Sequence, residues 1–445
     1  MAPPLELRGY VMNRKGACLI ALLSAAAFSA APFAARAQDS LLIKGGTIIP
    51  VTGKPIPNGS LLIMNGKIAK LGTGLSAPAG ATVIEAKGMY VYPGMVAPLT
   101  AIGLTGYPGA GNDTNEVGQS TPQIDAYEGL NPEDETIEVT RIDGVTTVMT
   151  AAGSSAMING RAVALNLDGD LPKDMLIKRD VCLVFNVGAR SESGPNTLMG
   201  VAAFIRDKLT KARDFAAKKA SAGAGPSSAV SPAAVQPAKH DPELETLSRV
   251  LSREIPVLFM TSDEVTIRSA IELIDEFSLK GIIFARAEIL KYADQLAAKK
   301  IPVIWGGTTT MPRRWEPVDI NFKTAAELAK KGVLFAFNES AGQGSRNVRR
   351  QPVPASLSIA YGLSEEDAVK AITINPAKIL GIDDKVGSLE EGKVANVVVC
   401  SKSIVQLSST IKTVIINGRV IPTVSIQTKL RDKYGAIVKE RMEKK

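Results

Sequence analysis

Short apolar segments alternate with amphipathic segments between residues 95 and 337, and this alternation constrains the fold more than any other feature of the sequence. Segments 267–277 and 290–297 place apolar residues at three- and four-residue spacing, which is typical of helices packed on one face. About eight strands alternating with helices favour an α/β fold, a parallel sheet closed into a TIM (β/α)8 barrel. An open, doubly wound sheet is the alternative. The short apolar runs that predict these strands are 95–99, 146–149, 163–167, 182–187, 257–260, 282–285, 303–305 and 334–337.

Hairpin patterns occur on both sides of this alternating region. Asn65-Gly66 separates two apolar segments near one end, and Asn417-Gly418 does the same near the other. Asn-Gly between apolar runs is a strong signal of a two-residue β-hairpin turn. We therefore predict one composite β-sandwich domain built from residues 38–92 and 385–425, with the barrel occupying residues 93–384.

Two segments lack these patterns. Residues 218–242 are rich in Ala, Gly, Pro and Ser without an apolar period, which predicts a disordered insertion in the barrel. The charged tail, residues 426–445, carries apolar residues at roughly helical spacing. That spacing fits either an amphipathic docking helix or a solvated terminal helix.

Residues 1–37 have the pattern of a secretory signal peptide. A basic start precedes an apolar run at 17–28 and an A-x-A cleavage pattern at 35–37. Either Met1 or Met12 can start translation, because the segment between them adds nothing that a signal peptide needs. We expect a secreted or periplasmic protein with no transmembrane anchor after cleavage. A membrane anchor is the alternative, although the apolar run is shorter than the roughly 20 residues of a membrane span.

The net charge of +8 does not indicate nucleic-acid binding. Residues 1–37 hold four Lys or Arg and one Asp or Glu, and residues 429–445 hold seven and three. The stretch between them is nearly neutral and contains no phosphate-binding stripe. We expect a small-molecule ligand and no nucleic-acid partner.

Several separated motifs carry a family resemblance. Val91-Tyr92-Pro93-Gly94 matches a Pro-Gly segment that enters a first barrel strand, and Gly144-Val145-Thr146-Thr147 matches a second strand. Segments 362–368, 372–377 and 386–396 follow in the same order. Together these motifs resemble the amidohydrolase superfamily, and within it the imidazolonepropionase-like proteins, over nearly the whole chain after the signal pattern.

The resemblance implies a metal site that this sequence does not fill. Active members of the superfamily hold one or two divalent metals at the carboxyl ends of the barrel strands, where the metal generates a hydroxide nucleophile. The chain has one histidine, His240, and it lies in the predicted insertion. Aliphatic and thioether side chains do not bind hard divalent ions, so we expect no metal and no other cofactor. The residues that occupy the ligand positions are Leu99, Ala101, Asn166, Met260, Ala285 and Ser340.

Polar residues nevertheless follow the last predicted strands. Glu339 or Asp263 could act as a general base. Asp263 could instead begin a helix, and the arginines nearby could form local surface ion pairs. Arg286 comes directly after the strand-six position, so it could point into the barrel mouth and replace the positive charge of the metal. The arginines that could bind a substrate carboxylate are Arg286, Arg346 and Arg349.

Three function classes fit these observations. The leading hypothesis is a pseudo-hydrolase that binds a small ligand or serves as an accessory subunit in a hetero-oligomer with an intact, metal-containing amidohydrolase homologue. The second is a metal-independent hydrolase of carbon–nitrogen bonds other than peptide bonds, which would use Glu339 and arginines. The third is an extracytoplasmic small-molecule binding protein without a hydrolase partner.

Overall fold

The structure is a computed structural model that describes residues 40–105, 113–153, 155–191, 194–223, 240–339 and 344–443. The predicted signal peptide therefore lies outside the described residues. Within them the strands are β1 (Ser40–Ile48), β2 (Ile56–Met64), β3 (Lys67–Thr73), β4 (Thr82–Glu85), β5 (Tyr90–Pro93), β6 (Met95–Thr100), β7 (Val145–Thr150), β8 (Ile158–Arg161), β9 (Val163–Asn166), β10 (Leu176–Lys178), β11 (Leu183–Asn186), β12 (Val257–Met260), β13 (Gly281–Ala285), β14 (Val303–Trp305), β15 (Phe335–Phe337), β16 (Val397–Cys400), β17 (Ile411–Ile416) and β18 (Arg419–Ile421). The α-helices of the same residues are α1 (Glu135–Arg141), α2 (Pro172–Met175), α3 (Leu198–Gly223), α4 (Pro242–Leu251), α5 (Glu264–Phe277), α6 (Ala293–Lys299), α7 (Ile320–Lys330), α8 (Pro352–Ala360), α9 (Glu365–Lys370), α10 (Ile374–Leu380) and α11 (Ile426–Glu443).

Strands from both terminal segments form one sheet, in the order β18-β17-β16-β5-β1-β2-β3, with β4 also paired to β1. β5 joins the two parts, because it pairs parallel to β1 and antiparallel to β16. The two Asn-Gly turns meet at Ala395, which donates a backbone hydrogen bond to Gly66 and accepts one from Gly418. The predicted association of the two terminal segments is therefore present in this sheet.

The five strands β11 to β15 run parallel and form the most regular part of the remaining fold. Successive side chains on a strand point to opposite faces, so alternate residues pack in different layers. An outer cluster packs one strand face against the helices and includes Phe259, Ile283, Ala285, Ile267 and Leu296. An inner cluster brings the other strand faces together and includes Val96, Ala162, Cys182, Leu258, Phe284 and Ala336.

The expected alternation of strand and helix is interrupted between β7 and β11. β9 pairs antiparallel with β7, and β8 pairs antiparallel with β11. Only residues 151–157 connect β7 to β8. That connection is shorter than the dozen or more residues that a crossover between parallel strands needs. The result is a mixed α/β fold, and the uninterrupted parallel (β/α)8 pattern was wrong for this segment.

The structure corrects the first residues of the disordered insertion predicted at 218–242, because residues 218–223 are helical. α3 continues through Gly223, because alanines and lysines at 216–220 have high helix propensity. α4 then begins at Pro242. Residues 224–239, which contain most of the predicted insertion, lie outside the described residues.

The charged tail forms the helix α11. None of its described side chains is buried, and Leu430, Tyr434 and Val438 are all at least 43% exposed. Within this chain it is therefore a solvated terminal helix. No helix among the described residues is both long and apolar enough to cross a membrane.

Candidate functional site

The candidate site lies at the carboxyl ends of β12 to β15. At the end of β13 the residue that faces inward is Arg286, not Ala285. Ala285 packs in the outer cluster, whereas Phe284 belongs to the inner cluster. The Arg286 guanidinium carbon lies 5.6 Å from the centre of the Phe284 ring, so both side chains are on the inner side. Ala285, which was predicted to occupy a ligand position, instead faces the helices, because side chains alternate along β13.

Arg286 is partly buried without an acidic partner in the described part of the chain. Its Nε is buried and has no hydrogen-bond partner there. Burial lowers the pKa of the Arg286 guanidinium, because the charged form loses hydration. A buried cation in this state is complementary to an anionic group that enters the mouth.

Glu339 is the buried acid of the site, with 5% of the residue exposed. Its Oε2 accepts a hydrogen bond of 3.0 Å from Thr309 Oγ1, and its Oε1 lies 3.7 Å from Arg350 Nη2. Burial raises the pKa of the Glu339 carboxyl, against the opposing effects of Thr309 and Arg350. Such a carboxyl can exchange a proton closer to neutral pH than an ordinary glutamate.

Gln351 fixes the position of Glu339. The Gln351 Nε2 donates to the Phe337 carbonyl at 2.7 Å, and its Oε1 accepts from the Glu339 backbone N–H at 3.3 Å. Sequence reasoning missed the roles of Thr309, Arg350 and Gln351. The basic loop 344–350 hinted at an arginine near Glu339, but no spacing rule singles out Arg350 from its neighbours.

Asp263 serves as a helix cap. It is the N-cap residue of α5, and its Oδ1 accepts the Thr266 backbone N–H at 2.9 Å. Although burial opposes ionisation, the hydrogen bonds from Thr266 hold the pKa of the Asp263 carboxyl below its usual value. A carboxylate held in this way stabilises the helix, and the structure does not support its selection as a general base.

Of the two other predicted arginines, only Arg349 has a described side chain, and its contact lies away from the mouth. Arg349 donates from its guanidinium to Gln427 at the start of α11. The side chain of Arg346 and the whole of Ser340 lie outside the described residues.

Asn166 lies at the wrong end of the fold to be a ligand in the mouth. It is opposite Thr147, near the amino end of β7, and its Oδ1 accepts hydrogen bonds from Thr147 Oγ1 at 3.2 Å and Asn396 Nδ2 at 2.6 Å. The antiparallel direction of β9 carries this residue away from the carboxyl ends of the neighbouring strands. The placement of Asn166 at the metal position was therefore wrong.

The remaining ligand positions do not provide donors for a divalent metal. Leu99 and Met260 pack against the inner cluster, and Ala101 offers only a methyl group. Among the described residues there is no group of three or more His, Cys, Asp or Glu that could hold a metal ion. His240 is 75% exposed, and its Nδ1 lies 3.4 Å from Glu245, at the start of α4. The residues present at the mouth do not fit the metal centre that the superfamily implies.

Arg313 contacts the loops that follow β12 and β13, and together with its own loop after β14 these form the rim of the mouth. Its Nη2 donates to the Ser262 carbonyl at 2.6 Å, and its Nη1 lies 3.6 Å from Glu288 Oε2. Glu288 also accepts a 3.0 Å hydrogen bond from the Glu264 backbone N–H, at the amino end of α5. These contacts connect the loops that follow β12, β13 and β14, and no sequence pattern indicated the role of Glu288.

The loop after β14 also exposes large apolar side chains. Met311 is 89% exposed, Trp315 is 72% exposed, and Val318 is 82% exposed. The Arg313 guanidinium lies 5.7 Å from the Trp315 ring centre. The rim therefore combines positive charge with apolar surface, a combination suited to an anion that has an apolar part.

Comparisons with known proteins agree with this architecture. The sequence profile described as Amidohydrolase family matches residues 320–421. The crystal structure of an amidohydrolase from Thermotoga maritima MSB8 is similar at 30% identity and a TM-score of 0.76, covering 86% of this chain and 99% of that chain. A zinc-bound adenosine deaminase from Xanthomonas campestris shares the fold, at 14% identity and a TM-score of 0.53, over 92% of this chain and 99% of that chain.

Curated relatives match over a short segment. A dihydroorotase from Geobacter sulfurreducens is 46% identical over 57 residues, which is 13% of this chain and 13% of that enzyme. A D-hydantoinase from Geobacillus stearothermophilus is 51% identical over 59 residues, which is 13% of this chain and 12% of that enzyme. The matches therefore span about one eighth of the length of these relatives.

Proposed function

The chain belongs to the amidohydrolase superfamily, and we propose that it is a pseudo-hydrolase whose mouth binds a small organic carboxylate through Arg286. The observation that carries this proposal is the partly buried Arg286 guanidinium, which lacks an acidic partner in the described residues. Arg286 supplies positive charge where active relatives hold a metal cation. The proposed role is ligand binding in an accessory subunit.

The proposal includes closure of β6 to β15 into a barrel around this mouth. Two hydrogen bonds to one short segment support closure: Val96 N donates to the Ile372 carbonyl at 2.9 Å, and Phe337 N donates to the Ala371 carbonyl at 3.0 Å. β6 and β15 are thus held side by side by residues 371–372. We further propose that the composite sheet folds over on itself as the sandwich of the superfamily, with β1 as the strand shared by β2, β4 and β5.

Dihydroorotate and hydantoin form a matched pair of probes for Arg286. Both contain a cyclic amide, but only dihydroorotate carries a carboxylate. We expect isothermal titration calorimetry to detect dihydroorotate and to detect hydantoin at least tenfold more weakly. Arg286→Met should weaken dihydroorotate binding by about 10- to 100-fold, because a hydrogen-bonded charge contributes roughly 1.5–3 kcal/mol.

Arg314→Met is the matched control, because Arg314 is an exposed arginine of the same rim. It should leave dihydroorotate binding unchanged. Equal binding of dihydroorotate to the Arg286→Met variant and to the parent protein would contradict the proposal, as would equal binding of both probes to the parent.

Glu339 supports a second candidate function, metal-independent hydrolysis of carbon–nitrogen bonds. Its buried carboxyl with a raised pKa can accept a proton from water as a general base. Slow turnover of dihydroorotate or hydantoin by metal-free protein, lost in Glu339→Gln, would favour this candidate over the accessory role. Unchanged turnover in Glu339→Gln would reject it.

The proposed location is the periplasm or the cell exterior, on the basis of the signal pattern at residues 1–37. The proposed partner is a metal-containing homologue from the same superfamily. Purification of the tagged protein from a periplasmic extract should yield such a homologue in a stoichiometric complex. Recovery of the protein alone, with dihydroorotate binding retained, would instead indicate an independent extracytoplasmic binding protein.

A further inference from the structure

A second cleft lies at the amino ends of β13 and β14, opposite the strand ends that carry Arg286 and Glu339. It has a volume of about 440 Å³ and is bounded by the turns that follow α5 and α6 and by α10. Ligand sites in proteins commonly fall between about 300 and 1,000 Å³. Its floor is apolar and is formed by the buried residues Ile274, Leu279, Ile282, Ile301 and Ile379.

Positive charge dominates the walls of this basic cleft. Asp275 is the sole carboxylate among its lining residues, and it pairs with Lys299 at 2.8 Å. The other cations have no ion pair within the described structure. The five cations that line the cleft are Arg253, Lys280, Lys299, Lys300 and Lys378, and all five are exposed.

The negative carboxyl ends of nearby helices offset part of this positive charge. α4, α5 and α6 end beside the cleft, and the carboxyl end of a helix is equivalent to about half a negative charge. Together with Asp275, these ends offset about half of the five positive charges. A net positive potential therefore remains in the cleft.

The ammonium group of Lys178 binds the carboxyl end of α10, so Lys378 is not required to compensate the negative charge of that helix end. The Lys178 Nζ donates to the Gly381 carbonyl at 3.2 Å. Burial is the main cause that lowers the pKa of Lys178, and the positive charge of Lys280 is the second. The effect of Lys280 on a neighbouring ammonium group is consistent with a crowded positive region.

We propose that the basic cleft binds a small, soluble polyanion that carries a di- or triphosphate group next to an apolar or aromatic portion. Lysine ammonium groups suit phosphate oxygens as point charges, and the buried isoleucine floor suits the apolar portion. The concave shape favours a soluble molecule over a flat anionic surface. The site is separate from the mouth and does not depend on the proposed role of Arg286.

Calorimetric titration with pyrophosphate and with ADP tests this proposal. We expect both to bind, and we expect ADP to bind more tightly because its nucleoside covers the apolar floor. The double substitution Lys280→Gln and Lys300→Gln should weaken both by at least tenfold. Both lysines are exposed, so the variant should keep its melting temperature.

The matched control removes the same charge elsewhere, through Lys412→Gln and Lys439→Gln, and should leave both affinities unchanged. Arg286→Met should also leave them unchanged, which separates the two sites. The proposal is overturned by three results: no binding of either probe at millimolar concentration, equal weakening in the control, or binding only to vesicles that contain phosphatidylserine.

Discussion

Burial without full compensation sets the chemistry of Glu339 and Arg286. Glu339 has a hydroxyl partner and a guanidinium 3.7 Å away, and these do not outweigh the loss of hydration that raises its pKa. Arg286 has an aromatic ring beside it and no carboxylate in the described residues. Asp263, by contrast, is stabilised as an anion by a helix amino end. The surroundings of these three charged residues therefore decide how well each charge is stabilised.

Glu339 should make stability depend on pH. Its pKa is raised in the folded state, so the folded protein keeps this proton more firmly than the unfolded chain, whose value is near 4.5. Stability should therefore fall as pH rises from about 4.5 through the folded pKa. Glu339→Gln removes this dependence, so the melting temperature of the variant relative to the parent should increase over that interval. Glu366→Gln, at an exposed site, should show no such trend.

Turns and strand directions decide the behaviour of whole elements. The Asn-Gly turns after β2 and β17 formed as their sequences predicted, since each needs positive φ values that Asn and Gly adopt readily. What the turns touch was not predictable, because their contact joins segments that are far apart in the chain. The direction of β9 was likewise missed, since an apolar run has the same composition in parallel and antiparallel pairing.

Gly418→Ala should test the contact between these two turns. Gly418 has φ +76°, and a Cβ there would lie 2.6 Å from the Gly66 Cα. Gly88 has φ +74° and has no atom within 4 Å of such a Cβ. Gly88→Ala should therefore cost about 1 kcal/mol from backbone strain alone, and Gly418→Ala about 1–3 kcal/mol more from overpacking. Urea unfolding measures both, and equal losses would show that the turns do not pack closely.

A buried amide network joins the composite sheet to the central fold of the molecule. Asn396 Nδ2 donates to Thr147 Oγ1 at 3.1 Å and to Asn166 Oδ1 at 2.6 Å, and its Oδ1 accepts the Asn417 backbone N–H at 3.0 Å. Asn166 Nδ2 also donates to Asn417 Oδ1 at 2.7 Å. Four residues from distant parts of the chain thus satisfy one another, and three of them, Thr147, Asn166 and Asn396, are buried.

Asn396→Ala should destabilise the whole molecule by about 1–3 kcal/mol, because it removes three hydrogen bonds and leaves the Asn417 backbone N–H without its side-chain acceptor. A single cooperative transition with a lower urea midpoint is the expected result. Gln295→Ala removes an exposed amide from α6 and should change the midpoint little. Separate melting of two parts in Asn396→Ala would indicate that the network alone holds them together.

The sequence by itself determined the α/β class, the joining of both terminal segments and the lack of histidines at the expected ligand positions. These follow from periodicity, turn chemistry and composition, which act over a few residues or over the chain as a count. Only the tertiary structure decided that Arg286 faces the mouth, that Asn166 lies at the opposite end, and that Arg350 approaches Glu339. It also assembled the basic cleft from five cations of a nearly neutral stretch of chain. The reason is physical: burial, strand direction and local charge arise from contacts between distant segments, which local patterns do not encode.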